Sequence, residues 1–382
     1  MPNTVINHNG NRSLKCAWLL TLLSFCHNTP AYAVTGADTF PPVTFASYPP
    51  EVVIHSTGGT IAGSGSAGSY KAGALSPQQL ISAIPGLDHI AKIQSEQIAS
   101  IGSQDMNDSI WFRLAKRIND LAERNDVQGI VITHGTDTLE ETAFFLNTVI
   151  NTRKPVVLVG SMRPATAISA DGPANLLEAV KTASAQDSVN RGVLVVMNGT
   201  VQSPLWVTKS DTTSVQTFAS PLAGPVGYVD PQELRFLRPA TGPEGPLLKL
   251  PVTDTLPRVE IIYAHSNMDD LQIRHAIQDN AKRIVLAGVG DGNASAAALT
   301  ALKEAVHDGL IVVRASRGWN GMVKRSVEID DDASGFVVSP GLNPQKSRIL
   351  TQLLIADGIT TPDEVQKSFN TVLQYQRDGN QH

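Results

Sequence analysis

Two short β-branched runs, each followed by glycine and threonine, constrain the fold of this chain most strongly. Residues 51–56 lead into Gly-Gly-Thr60, and residues 129–133 lead, after one histidine, into Gly-Thr136-Asp137. Each run is typical of a buried strand, and glycine marks a sharp exit from it. Because ligands bind at the carboxyl ends of strands in an open parallel α/β sheet, these segments predict two hydroxyls and a carboxylate at one sheet edge. Gly-Thr turns are also common in ordinary loops, so the inference depends on finding both segments together.

The rest of the sequence continues this alternation of strand and helix patterns. The first half contains candidate strands at 51–56, 129–133, 156–160 and 192–197 and candidate helices at 77–83, 108–124, 138–149 and 172–185. The second half contains candidate strands at 258–263, 283–288 and 310–314 and candidate helices at 269–279, 295–306, 345–356 and 362–374. Buried strands separated by helices predict mostly parallel sheets covered on both faces.

The distribution of proline and glycine predicts two domains. Both residues are concentrated between 239 and 257, which is the best candidate for a linker. The expected fold is therefore α/β, with a larger N-terminal domain at 51–238 that carries the mostly parallel sheet. A smaller C-terminal α/β domain is expected at 258–382.

The first 33 residues are expected to form a secretory signal peptide rather than part of the fold. A positively charged start precedes the apolar stretch 16–26, and Ala31-Tyr32-Ala33 is a small-x-small cleavage signature. Residues 34–50 are expected to form an extended leader. Both cysteines of the chain lie within the predicted signal peptide, which suits an oxidising compartment. We therefore expect a periplasmic or secreted protein with no membrane attachment after cleavage.

Composition and motifs argue against several classes of function. The formal net charge is −5, and no segment resembles a basic nucleic-acid-binding face. Residues 288–292 do not meet the spacing of a dinucleotide-binding loop, and residues 57–65 lack the lysine of a P-loop. The histidines are scattered singly and no HExxH motif occurs, so a metal site is not expected. A reaction that needs no cofactor is therefore predicted.

Two further polar segments extend the candidate site. Ser103 and Gln104 lie in a polar loop before the helix predicted at 108–124, and capping of that helix would not explain them. Lys209 lies at a predicted strand end, where a lysine is usually a solvated charge. If it instead lies buried beside Thr136, desolvation would make it a candidate base. A threonine hydroxyl needs such a partner, because unassisted it is a poor nucleophile.

Together these segments resemble the bacterial type II L-asparaginases and the related glutaminase-asparaginases. The similarity runs from about residue 51 to residue 375, and its most specific pieces are Thr57-Gly-Gly-Thr-Ile-Ala-Gly63, Ile132-Thr-His-Gly-Thr-Asp-Thr138, Val159-Gly-Ser-Met-Arg-Pro164 with Ala170-Asp-Gly-Pro173, and Leu342-Asn-Pro-Gln-Lys346. The resemblance implies an amidohydrolase that deamidates L-asparagine, with some activity on L-glutamine, through a threonine nucleophile and an acyl-enzyme. It also implies a homotetramer with sites shared between subunits.

The resemblance implies a catalytic role for five residues. Thr60 matches the family nucleophile, and Tyr70 resembles the tyrosine on a mobile lid that activates it. Thr136 and Lys209 correspond to the second threonine and to the lysine that pairs with it. Asp137 matches the carboxylate that faces the α-amine of the substrate.

Other residues are implied to bind the substrate, a small amino-acid amide. Ser103 and Gln104 resemble the residues that hold its α-carboxylate and α-amine, and Gly59 lies next to the nucleophile. Asn293 and Glu328 belong to the predicted second domain. In the family, these two positions reach the active site of a neighbouring subunit.

The sequence departs from the family pattern in two places. The lid segment 63–75 is shorter than in many relatives, so the position of Tyr70 follows less directly than that of Thr60. Asp291 stands where asparagine is common, close to Asn293. An extra negative charge there would alter the preference for the side-chain amide in a direction that the sequence does not define.

Two alternative functions share some of these features. A periplasmic two-domain binding protein would share the leader, the α/β layers and the linker, but it would not need Thr60, Thr136 and Lys209 as a set. The amidotransferase subunit that acts on charged tRNA shares the fold. The secretory leader and the acidic balance of charge argue against that second alternative.

Overall fold

The computed structural model describes residues 49–66 and 69–378. The predicted signal peptide at 1–33 and nearly all of the predicted leader at 34–50 lie outside these ranges, so both remain predictions. The strands of the first half are β1 Glu51–Gly58, β2 Ser64–Ser66, β3 Ser69–Lys71, β4 Lys92–Ile101, β5 Val127–Thr133, β6 Val156–Val159, β7 Val193–Met197, β8 Thr200–Gln202, β9 Thr208–Lys209, β10 Phe218–Ala219, β11 Gly227–Val229 and β12 Leu234–Phe236. The helices of this half are α1 Pro77–Ser82, α2 Leu87–Ile90, α3 Asp108–Ala122, α4 Leu139–Val149 and α5 Gly172–Ser184.

Eight of these strands form the larger sheet, in the order β12-β11-β8-β7-β6-β5-β1-β4. Strands β4, β1, β5, β6 and β7 run parallel to one another. The pairs β7 with β8, β8 with β11 and β11 with β12 are antiparallel. Side chains of β1 alternate between the faces: Val53 packs in the core beneath α3 and α4, and Ile54 packs in the core beneath α5. Both faces are therefore covered, as parallel strands require.

The second half of the chain forms a smaller sheet of four parallel strands, β13 Val259–Tyr263, β14 Arg283–Gly288, β15 Ile311–Ser316 and β16 Val337–Val338. The helices of this half are α6 Leu271–Gln278, α7 Ala296–His307, α8 Asp331–Ser334, α9 Pro344–Ala356 and α10 Pro362–Asp378. Helices α6 and α7 cover one face of this sheet, and α9 packs on the other face and also against α4. The prediction of a two-domain α/β fold is confirmed.

The segment predicted as a linker, 239–257, contains neither helix nor strand. It lies along the surface of the larger domain, to which it is hydrogen-bonded at several points. Leu248 N donates to the carbonyl of Thr148 at 2.8 Å, and Leu256 N donates to a carboxylate oxygen of Asp108 at 2.8 Å. The segment is thus bound to the larger domain along its length before the chain continues into the smaller domain.

Two groups of strands in the larger sheet were not predicted from the sequence, and neither were the hairpin of β2 and β3 nor the two-residue strands β10 and β16. The first is β4, whose ten residues include only one buried side chain, Ile98. The second comprises β8, β11 and β12, each of three residues. Hydrophobic periodicity cannot detect a polar strand or one that is shorter than a full pattern.

Candidate active site

The ends of three neighbouring strands, β4, β1 and β5, bring the candidate residues together. The loop after β1 carries Thr60, and it touches the loop after β5 through two glycines. A Cβ built on Gly59 would lie 2.3 Å from both Cα and N of Gly135, and Gly59 has φ 76. Gly59 N also donates to the carbonyl of Ile101 in β4 at 2.8 Å. Only glycine fits at position 59, because the backbones approach too closely for any side chain.

Thr60 lies in direct contact with Tyr70. Thr60 begins a short 3-10 helix immediately after β1, and its Oγ1 is 2.8 Å from the Tyr70 hydroxyl oxygen. Tyr70 belongs to the hairpin of β2 and β3, and its side chain is 43% exposed. The predicted lid tyrosine therefore lies next to the predicted nucleophile.

The hairpin that carries Tyr70 is fastened to the loop that follows β6. The hydroxyl of Thr166 accepts a hydrogen bond from Gly65 N at 2.8 Å and donates to the carbonyl of the same residue at 2.5 Å. Ala165 N also donates to the carbonyl of Gly63 at 3.0 Å. These contacts hold the hairpin in the position at which Tyr70 reaches Thr60.

Lys209 forms a second side-chain pair with a threonine hydroxyl, that of Thr136, at the same sheet edge. Its Nζ donates to Thr136 Oγ1 at 3.0 Å and to Asp137 Oδ1 at 2.6 Å. The Lys209 side chain is 18% exposed, whereas that of Asp137 is 61% exposed. Lys209 is therefore directed into the candidate site and is not a solvated surface charge.

Ser103 connects the loop after β4 to the loop after β5. It is buried, and its Oγ accepts a hydrogen bond from Asp137 N at 3.1 Å. Its carbonyl accepts a hydrogen bond from the Thr138 hydroxyl at 2.7 Å. Gln104, the next residue, is exposed, and its side chain folds over Gly102. Ser103 is thus hydrogen-bonded to Asp137, and Gln104 follows it in the same loop.

A buried histidine supports the loop that carries Thr136. His134 Nε2 lies 2.9 Å from the hydroxyl of Thr142, which accepts a hydrogen bond from Trp111 Nε1 at 2.8 Å. The Gly135 carbonyl can only accept, so Nδ1 carries the proton and donates to it at 2.7 Å. In the neutral ring, Nε2 then accepts from the Thr142 hydroxyl. Burial lowers the pKa of His134 to about 4. The histidine is therefore neutral at pH 7, with one defined tautomer.

The structure places Asn293 and Glu328 in the smaller domain. Asn293 is half-buried, and its side-chain oxygen accepts a hydrogen bond from Ala294 N at 2.8 Å. Glu328 is exposed and, within the described ranges, makes no hydrogen bond or ion pair. Neither side chain is hydrogen-bonded to Thr60, Thr136 or Lys209 in this chain. The site at the sheet edge is accordingly built from residues of the larger domain.

A buried ion pair holds together the two loops that carry Asn293 and Glu328. Arg314 binds Asp331 with distances of 2.5 and 2.7 Å, and both side chains are almost fully buried. Arg314 also donates to the carbonyls of Asp291 at 2.9 Å and Lys324 at 3.2 Å. The carboxylate of Asp291 accepts a hydrogen bond from Lys324 N at 2.7 Å. The unusual acid at position 291 is thus bound to its own domain.

Several residues that form this site were not predicted from the sequence. They comprise the buried His134, the lid contact Thr166, and Glu140, which lies at the start of α4 behind Lys209. Two of these lie inside or next to motifs that the sequence analysis singled out, but those motifs alone did not indicate a role. In the part of the chain that the structure describes, no group of three acidic, histidine or cysteine side chains could hold a metal ion. No helix there is long and apolar enough to cross a membrane.

Comparison with known proteins identifies the family. Residues 51–241 match the model of the asparaginase N-terminal domain, and residues 258–369 match that of the glutaminase/asparaginase C-terminal domain. The chain is 48% identical over 328 residues to the probable periplasmic L-asparaginase of Haemophilus influenzae, covering 84% of this chain and 92% of that protein. It is 44% identical to L-asparaginase 2 of Escherichia coli, with 84% and 93% covered. It is 42% identical to the glutaminase-asparaginase of Pseudomonas fluorescens, with 80% and 86% covered.

The fold and the paired domain matches define a two-domain amide hydrolase. The chain belongs to the asparaginase family. Membership of this family confirms the predicted resemblance and the predicted class of enzyme, a hydrolase that acts on linear amides.

Proposed function

We propose that this protein hydrolyses the side-chain amide of L-asparagine, and to a lesser extent that of L-glutamine, to the acid and ammonia. The family and the printed names of the relatives support this substrate class. One observation carries the mechanism: two threonine hydroxyls lie at one sheet edge, each within 3.0 Å of a group that can exchange a proton with it. An amide can be cleaved by a nucleophile, a base and oxyanion stabilisation, so the reaction needs no cofactor.

Thr60 is the proposed nucleophile. Its hydroxyl loses a proton through Tyr70 while its oxygen bonds to the amide carbon of the substrate. The carbon–nitrogen bond then breaks, the nitrogen takes up a proton and leaves as ammonia, and an acyl-enzyme ester remains. Water attacks this ester, with Lys209 and Thr136 as the second proton-transfer pair, and releases the acid and the free hydroxyl.

The oxyanion is proposed to bind at the backbone N–H of Thr136. This residue is buried, and within the described residues its N–H has no hydrogen-bond partner. Buried N–H groups in native structures are almost always paired, so an unpaired one at a site edge suits a ligand oxygen.

The α-amine and α-carboxylate of the substrate are proposed to bind at Ser103, Gln104 and Asp137, beside Gly59. Ser103 and Asp137 are already joined by a hydrogen bond, which supports a shared role. An α-ammonium held away from water needs more compensating charge than Asp137 supplies alone, since Asp137 also pairs with Lys209. Glu328 is the candidate second carboxylate.

We further propose a homotetramer in which Asn293 and Glu328 of one subunit complete the site of its neighbour. The support from this chain is the segment that leads to Glu328, in which three large apolar side chains are exposed: Trp319 by 66%, Met322 by 43% and Val327 by 66%. Exposed apolar groups that lie close together mark interaction surfaces.

Export to the periplasm or the outside of the cell is also proposed, supported by the name of one relative and by the predicted signal peptide. Cleavage after Ala33 would leave Val34 as the first residue of the exported protein. A different N-terminus in mass spectra, or a lipid on Cys26 of the predicted signal peptide, would contradict the proposal.

Release of ammonia from L-asparagine and L-glutamine tests the proposed function. We expect turnover of asparagine and some turnover of glutamine, and loss of nearly all turnover in Thr60→Ala. Retention of more than about a tenth of the wild-type kcat, a barrier change of only ~1.4 kcal/mol, would contradict the role of Thr60. Thr182→Ala is a matched control, because it removes a buried threonine hydroxyl that bonds only within α5. Binding of asparagine without ammonia release would favour the binding-protein alternative.

A further inference from the structure

The backbone of Lys209 is held from behind by a buried carboxylate, that of Glu140. Glu140 lies in the first turn of α4 and is 3% exposed. One of its oxygens accepts a hydrogen bond from Lys209 N at 2.7 Å. Its other oxygen accepts hydrogen bonds from the side-chain amides of Asn343 at 2.8 Å and Gln345 at 2.6 Å. The carboxylate therefore joins the segment that carries the proposed base to the start of α9, in the smaller domain.

A buried lysine at the start of α9 holds the same segment at a second point. Lys346 is 1% exposed, and its Nζ donates to the carbonyls of Leu205, at 3.3 Å, and Val207. These two residues directly precede β9, which carries Lys209. Burial lowers the pKa of Lys346 to about 8, and the nearby charges of Glu140 and Glu141 oppose that shift.

We propose that Glu140, Asn343, Gln345 and Lys346, here named the α4–α9 anchor, position Lys209 for proton transfer and set the electrostatic potential at its ammonium group. This inference rests on the proposed function, in which Lys209 is the base. Glu140 and Lys346 bond to the main chain at or just before Lys209. Asn343 and Gln345 hold the Glu140 carboxylate, and none of the four residues is hydrogen-bonded to Thr60 or Thr136. They are positioning residues rather than catalytic ones.

The need for such an anchor follows from the local structure. Lys209 belongs to a strand of two residues, paired only with the equally short β10. So short a pairing fixes a backbone weakly, whereas a proton-transfer group must be held closely. A base that is displaced by about 1 Å can lose roughly 10²-fold in rate. The anchor supplies from distant residues the rigidity that the strand lacks.

The charged groups that surround Lys209 allow the proposed effect on the electrostatic potential at its ammonium group to be tested. Asp137 contacts its ammonium directly, and a cavity of about 370 Å³ beside it is also lined by Glu140, Glu141 and Asp211. Lys346 adds a positive charge from the side of α9. Removal of the Glu140 charge and removal of the Lys346 charge therefore change the potential at Lys209 in opposite directions.

The experiment measures kcat and KM for asparagine across the pH range in Glu140→Gln and Lys346→Met. We expect kcat to fall by roughly 10- to 100-fold in both variants, with KM within about threefold of wild type. Glutamine at position 140 has one acceptor oxygen and cannot accept from both Lys209 N and the amides of α9, and methionine at position 346 loses both backbone contacts. If the base must be unprotonated, the acid limb of the kcat profile should move to lower pH in Glu140→Gln. It should move to higher pH in Lys346→Met, because a lost positive charge favours the ammonium.

Matched controls exist in the same chain. Glu178 accepts a hydrogen bond from a backbone N–H, that of Gly199, at 3.0 Å, and Lys154 donates to the carbonyls of Leu121, at 3.1 Å, and Arg124. Both make anchor-like contacts away from Lys209. Glu178→Gln and Lys154→Met should lose some thermal stability and keep the wild-type pH profile.

Each outcome supports the inference or overturns it. Unchanged kcat in both anchor variants, or losses with profiles that stay in place or move in one direction, would show that the anchor only supports the fold. If Lys346→Met does not fold, Gln345→Met removes a single hydrogen bond to Glu140 and should still lower kcat without changing KM. An inactive wild type, or an active Lys209→Met, would refute the proposed function and the inference with it. An inactive Lys209→Met beside unaffected anchor variants would refute the inference alone.

Discussion

Gly59 and Gly135 determine how closely the two proposed hydroxyls can approach each other. A Cβ on Gly59 would overlap the backbone of Gly135, and a Cβ on Gly135 would lie 2.7 Å from Ser103 Oγ. Because glycine carries no side chain at either position, the backbones of three loops from adjacent strands can come into contact. Thr60, Ser103 and Thr136 are then close because of residues that contribute no functional group.

Lys209 gives the clearest test at the scale of single residues. General acid–base groups contribute roughly 10²–10⁴-fold, so Lys209→Met should lower kcat by at least about two decades. Thermal stability should stay close to wild type, because the carboxylate of Asp137 that loses its partner is largely exposed and can be hydrated. The measurement is steady-state kinetics together with thermal denaturation. Near-normal activity in a folded variant would return Lys209 to the role of an ordinary charge.

The part of the site that sequence could predict is the part defined by strand ends. Thr60, Thr136 and Asp137 follow buried β-branched runs, so their place at the sheet edge is readable from local pattern. The partners of Glu140 lie more than 200 residues away, at Asn343 and Gln345. Contacts of such separation leave no local periodicity, and only the folded arrangement reveals them.

At the scale of elements, one hydroxyl, that of Thr166, makes two of the hydrogen bonds that fasten the hairpin of β2 and β3. Thr166→Val removes both hydrogen bonds to Gly65 and keeps the side-chain volume. Because the contact is exposed, the cost in stability should be about 1 kcal/mol or less. The population in which the Tyr70 hydroxyl contacts the Thr60 hydroxyl should decrease, so kcat/KM should fall by roughly tenfold. Stopped-flow and steady-state kinetics would measure it, and unchanged kinetics would show that the hairpin is held by other contacts.

The main helices, strands β1, β5, β6 and β7 of the larger sheet and strands β13, β14 and β15 of the smaller sheet follow from their sequence patterns. Helix α3, for example, begins where Asn107 accepts a hydrogen bond from Ile110 N at 3.3 Å, and its apolar face is regular. The antiparallel strands beyond β7 do not follow, because each is only three residues long. Their pairing is imposed by the edge of a sheet that already exists, and this tertiary effect overrides weak local preference.

For the whole molecule, two buried histidines predict sensitivity to acid. Burial lowers the pKa of both His55 and His134 to about 4, and Glu96, 3.5 Å from His55 Nε2, only partly opposes the shift. The unfolded chain binds protons near pH 6.5, so the stability that neutral histidines provide is complete above that value. It is lost as pH falls toward 4, by up to roughly 3 kcal/mol for each histidine.

Thermal denaturation between pH 7.5 and 4.5 tests this dependence. Wild-type Tm should fall steadily below pH 6.5, and His55→Met should give a shallower decline, because its side chain binds no proton. His275→Gln, at an exposed position, should leave the slope unchanged. Equal slopes in wild type and His55→Met would show that other groups cause the loss.

A mixing experiment tests whether active sites are shared between subunits. Thr60→Ala and Glu328→Ala subunits, each inactive alone, are dissociated, combined and reassembled. If Glu328 completes the site of a neighbour, some mixed sites contain both intact residues, and part of the activity should return. No return of activity in oligomers shown to be mixed would mean that Glu328 acts within its own chain or has no role.

The polar character of β4 has a consequence for how the protein behaves at high concentration. β4 is the last strand of the larger sheet, so one of its sides has no neighbouring strand. Its sequence, KIQSEQIASI, carries lysine, glutamate and glutamine at intervals and buries only Ile98. Charged and polar side chains discourage the strand of another molecule from adding to an open edge. The polar composition of β4, which prevents its prediction from hydrophobic periodicity, thus protects the folded protein against edge-to-edge aggregation.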